Sequence, residues 1–116
     1  KNQHETIEYY VPFVLDRYRY KGTEIFRSVK RNLNNYKRHA EKYNSIDSSC
    51  IIVLNSGWGE LSLLLALTKP NATVISVEKD EEKLCVSSIA AENVVNNLTY
   101  LTELKENFES PYIINL

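Results

Sequence analysis

The chain has 116 residues, enough for one small domain with a modest core. Apolar residues make up 43% and charged residues 25%, the balance of an ordinary globular domain, and a formal net charge of -1 excludes a whole-chain electrostatic attraction to nucleic acid or membrane. The longest apolar run, Leu63 to Leu67, is far too short to span a bilayer. Cys50 and Cys85 form no metal or redox motif and fall in apolar patterns. They read as buried free thiols in a reducing compartment, which favours a cytoplasmic location. The chain starts at Lys1 and contains no methionine, so it reads as a piece of a larger protein.

Thr6 to Tyr20 carries Ile7, Tyr10, Val11, Val14, Leu15 and Tyr18 at helical spacing. Pro12 implies a start or a kink near that point. The run Arg17-Tyr18-Arg19-Tyr20-Lys21 alternates basic and aromatic residues. It suits either an anion or nucleic-acid contact or an amphipathic strip with packed tyrosines, and the second reading is the commoner one. Thr23 suits an N-cap, and a helix to about Tyr43 aligns Phe26, Val29, Leu33, Tyr36, Ala40 and Tyr43 in one stripe. Its other face carries Lys30, Arg31, Lys37, Arg38 and Lys42, which reads as a solvated face. His39 has no second ligand at helical spacing and is given no metal role.

Cys50 to Leu54 is an apolar, β-branched run, read as a strand buried on both faces. The turn Asn55-Ser56-Gly57-Trp58-Gly59 follows, then an almost wholly apolar helix from Glu60 to Thr68. Thr73 to Val77 is a second strand with Glu78 at its end. Asp80 caps a helix from Glu81 to about Val95, with Leu84, Cys85, Ser88, Ile89 and Ala91 on its packing side. Leu98 to Leu101 and Tyr112 to Leu116 complete the strands, and Thr102 to Glu109 is a loop or a short helix. Strands alternating with helices predict an α/β Rossmann-like parallel sheet of about four strands, in the order 3-2-1-4, with two N-terminal helices. Residues 1–49 are expected to be a helical segment packing on the sheet and residues 50–116 a partial Rossmann-like half, together one structural domain.

Ligands of such sheets bind at the C-terminal strand ends, where both the glycine turn and Glu78 fall. Glycines let backbone approach a ligand, and the following helix N-terminus offers unpaired N–H groups. An acidic residue 19 positions after Gly59 suits the two hydroxyls of a ribose, and equally suits the first turn of the next helix.

Ile51 to Leu104 resembles the front half of a class I S-adenosylmethionine-dependent methyltransferase, on Gly57-Trp58-Gly59, the apolar helix start and Glu78. The resemblance implies an S-adenosylmethionine site built from Asn55, Ser56, Gly57, Trp58 and Gly59. It assigns Glu78 to the ribose, with Lys79 and Asp80 beside the adenine. Two positions depart from the family pattern: Asn55 replaces the first glycine, and Val53 replaces the acid that helps to hold the methionine amino group. Asparagine tolerates the left-handed backbone a glycine would adopt. Valine accepts no hydrogen bond, which removes roughly 1.5–3 kcal/mol of ammonium binding.

The family domain has about seven strands, so the resemblance places the methyl-acceptor half and any catalytic group beyond Leu116, and no catalytic residue is assigned here. The expected function is a methyltransferase-like cofactor-binding module. The alternatives are a non-catalytic structural or interaction module, and an NAD module read from Gly57-x-Gly59-x-x-Ser62. No nucleic-acid partner is expected. An open sheet edge implies either a second copy or a further covalently attached domain.

Overall fold

The computed structural model describes residues 3–116. Four parallel strands, β1 (Cys50–Leu54), β2 (Thr73–Val77), β3 (Leu98–Leu101) and β4 (Tyr112–Asn115), form one sheet in the order β3-β2-β1-β4. This is the expected order. Central Val53 lies opposite Ser76 on β2 and Ile114 on β4.

Helix α1 (Ile7–Asp16), α2 (Thr23–Arg38) and α3 (Ala40–Asn44) precede the sheet, α4 (Glu60–Thr68) joins β1 to β2, and α5 (Glu81–Ala90) joins β2 to β3. Alternation along the strands sends Ile51, Val53 and Val74 to one face and Ile52, Ile75 and Val77 to the other. The first face belongs to the main core, with the leucines of α4 and the apolar stripes of α1, α2 and α3. Both α1 and α2 pack against α4. Helix α4 is thereby enclosed, which is why its sequence has no polar stripe. The second face is covered only by a small cluster with Leu54, Leu101 and Phe108.

Several local expectations are corrected. Pro12 lies inside α1, which begins at Ile7. Pro12 is exposed, on the side of the helix where a freed carbonyl is open to solvent. Helix α1 stops at Asp16, and tight turns carry Tyr18 into full burial. Thr6 makes no side-chain cap for α1; instead the Asn44 Oδ1 accepts the Ile7 N–H at 2.8 Å, across 37 residues. Thr23 is the first helical residue of α2, and Gly22 is the cap, with φ 111°. The long basic helix breaks at His39, whose φ and ψ of -113° and 32° separate α2 from α3. The buried stripe nevertheless continues through Ala40 and Tyr43.

Helix α5 ends at Ala90, short of Val95, and packs through Ser87, Ala90 and Ala91. Cys85 is exposed, not a buried thiol, and Ile89 is likewise exposed; Cys50 is half-buried. Small residues face inward here because α5 lies close to the turn after β1, so hydrophobicity alone points to the wrong face. Residues 102–111 contain neither helix nor strand.

Asn97, at the entry to β3, donates through Nδ2 to the carbonyls of Ala66, Lys69 and Ala72 at 3.1, 3.1 and 2.9 Å. It satisfies the carbonyl end of α4 and the loop after it. Asn97→Ala is expected to destabilise the domain by roughly 1–3 kcal/mol, read as a lower urea midpoint with an unchanged slope.

Candidate functional site

The turn after β1 is set by three left-handed residues: Asn55, Gly57 and Gly59, at φ 55°, 63° and 84°. Asn55 thus holds a left-handed conformation that asparagine tolerates, and its Nδ2 donates to Asn115 Oδ1 on β4 at 2.8 Å. The Ser56 N–H donates to the Val77 carbonyl and the Gly59 N–H to the Ser56 carbonyl, each at 3.0 Å. A side chain at Gly57 would meet open space, so only the backbone angle demands glycine there. At Gly59 both angle and space demand it, since a Cβ would lie 1.7 Å from Ser87 Oγ of α5.

Glu78 is buried at the C-terminal end of β2. Its Oε1 accepts the Gly57 N–H at 2.8 Å and its Oε2 accepts the Asp80 N–H at 2.9 Å. One carboxylate therefore ties the first turn to the start of α5. Asp80 caps α5 as expected, with Oδ1 accepting the Glu82 and Lys83 N–H groups at 3.0 and 3.3 Å. Lys79 is exposed beside it. The Trp58 ring is half-buried with Lys83 Nζ 5.6 Å from its centroid, and its carbonyl accepts the Tyr18 hydroxyl at 2.6 Å. Val53 is fully buried in the core and presents no acceptor.

Two polar features beneath the turn escape sequence reasoning. The first is a buried serine relay: Ser62 Oγ donates to Ser76 Oγ at 2.9 Å, and Ser76 Oγ donates to Ser56 Oγ at 2.8 Å. It links α4, β2 and the turn. The second is Glu60, 1% exposed at the start of α4, whose Oε2 accepts the Asn32 Nδ2 of α2 at 3.1 Å. Burial raises its carboxyl from 4.5 to about 7, against the lowering by its own backbone N–H and the Asn32 amide. Burial first, and Glu60 next, also raise the Tyr18 and Tyr36 hydroxyls. A lone charge opening a wholly apolar helix, and a lone serine in an apolar strand, were the available signals.

The structure brings Asn55, Ser56, Gly57, Trp58, Gly59 and Glu78 into one corner at the C-terminal strand ends, with Lys79 at its rim. Four shallow, open depressions among the described residues lie elsewhere on the molecule. Among the described residues no group of three or more His, Cys, Asp or Glu could hold a metal ion, and no helix is long and apolar enough to cross a membrane. No family model matches the chain, and no curated protein matches it significantly.

Two predictions follow from these contacts. Gly59→Ala is expected to cost about 2–4 kcal/mol in chemical denaturation, and adding Ser87→Gly should restore the steric part but not the roughly 1 kcal/mol due to φ. For Glu60, the folded protein holds a proton more tightly than the unfolded chain. Its contribution is complete below pH 4.5 and is lost as pH rises through about 7. The total loss is about 3 kcal/mol. Glu60→Gln should flatten that slope in stability measured from pH 4.5 to 8; an unchanged slope would assign it to other groups.

Proposed function

We propose that this domain is a methyltransferase-like module that binds S-adenosylmethionine. The observation that carries the reading is the convergence of the strand-2 acid on the strand-1 turn, with Glu78 Oε1 2.8 Å from the Gly57 nitrogen. Each Glu78 oxygen accepts one N–H bond and retains acceptor capacity for a ribose hydroxyl. The open side of Gly57 and the left-handed turn suit close backbone approach. Lys79 and Asp80 would flank the adenine.

The ribose half of the site fits the cofactor better than the amino-acid half. Val53 supplies no carboxylate there, and Asn55 and Asn115 offer amides in its vicinity. The bound cofactor supplies an electrophilic methyl group. This chain's residues hold and orient it, and no acid, base or nucleophile is assigned to methyl transfer.

A second reading is a structural module that keeps the fold without the ligand. It is favoured by the same carboxylate, whose two oxygens already brace the turn and the start of α5. A dinucleotide is the third reading, with Ser62 in the last glycine position of the phosphate loop and held in the buried serine relay.

Titration with S-adenosylhomocysteine, followed by calorimetry and amide shifts, separates the readings. Submillimolar affinity with shifts at Gly57, Trp58 and Glu78 is expected, with about tenfold weaker binding for Glu78→Gln. A flat titration at millimolar ligand selects the structural module, and a response to NAD alone selects the dinucleotide.

A further inference from the structure

The outer face of α2 carries exposed Arg27, Lys30, Arg31 and Arg38, which with Asn34 line one shallow concavity of about 320 Å³. Arg27, Arg31, Asn34 and Arg38 recur at intervals of four, three and four residues, a single stripe about 16 Å long. Among the described residues the ion pairs join Arg19 to Asp16 and Lys105 to Glu103, and none neutralises this stripe. The side-chain contact made from it is Arg38 Nη2 to Asn35 Oδ1 at 3.4 Å.

These like charges repel one another, on a chain whose net charge is only -1. In the turn before α2, Arg19 is paired with Asp16, and its Cζ lies 5.6 Å from the Phe26 ring centroid. Between Arg19 and Lys21, Tyr20 is 92% exposed.

We propose that this face docks peripherally on a bilayer containing anionic phospholipid. Guanidinium forks match phosphate oxygens in paired hydrogen bonds, and basic residues are drawn to a negatively charged leaflet. A planar surface can engage the whole stripe at once. Tyr20, exposed in the turn that precedes α2, has the apolar ring and polar tip that suit the headgroup layer. Single-stranded nucleic acid fits less well, because no aromatic platform lies among the cations lining the concavity. The proposal is independent of cofactor binding at the glycine turn.

Co-sedimentation of the full chain with vesicles tests it. Phosphatidylcholine vesicles with about one-third phosphatidylserine should bind, phosphatidylcholine alone should not, and binding should weaken as salt rises past about 0.15 M. The variant Arg27→Gln/Arg31→Gln/Arg38→Gln should lose at least about tenfold in partitioning, with circular dichroism and melting unchanged. The milder Lys30→Gln/Arg31→Gln should lose several-fold, and Lys105→Gln none. Absence of binding, equal binding to the neutral vesicles, or unchanged partitioning of both folded variants would overturn the proposal. So would binding to a DNA duplex without binding to vesicles.

Discussion

Enclosure of α4 is the constraint on which the architecture rests. The sheet lies on one side of this helix and α1 and α2 on the other. Leu61, Leu63, Leu64 and Leu65 are all at 1% exposure or less, each burial stabilising by about 2–3 kcal/mol relative to exposure. Because no side of α4 meets water freely, the one charge at its entrance must find its partner inside the protein. Asn32 is that partner, and it comes from α2. The N-terminal helices are thus joined to α4 and the turn before it through both packing and a buried polar contact, with the Tyr18 hydroxyl on the Trp58 carbonyl as a second link.

Above α4, the turn is held by buried polar groups. Glu78 fixes Gly57 from one side, and the Ser62–Ser76–Ser56 relay fixes Ser56 from below. Such a turn is already ordered, so a ligand arriving there need not supply that ordering. The same arrangement also satisfies the carboxylate when nothing is bound. A ligand arriving at this corner would have to share the oxygens that brace the turn and the start of α5.

The sheet order was legible because β1, β2 and β4 are rich in β-branched residues, and because β1 and α4 flank a glycine-rich turn. Asn55 was legible as a left-handed residue for its side-chain chemistry. The boundaries of α1 and α2 were less so. Pro12 is tolerated where its missing donor faces solvent, and His39 interrupts a helix whose apolar stripe runs on without a break. The face of α5 was misread because the nearness of Ser87 to Gly59 selects small residues, and proximity leaves little trace in hydropathy. Glu60 and Asn32 lie 28 residues apart, and their pairing depends on tertiary packing that no local pattern encodes.

The two faces of the sheet are covered unequally. One carries helices, while the other rests on a few side chains and a stretch without regular structure that leads into β4. That strand contacts the sheet along one edge only, through β1, and Ile113 is 53% exposed. Its release would leave β3, β2, β1 and the helical layer joined as before. The domain thus contains a peripheral unit that opens for less free energy than the whole. Amide protection would then grade inward from β4 to the β1–β2 pair, and the corner where Asn115 meets Asn55 would loosen with the strand rather than with the core.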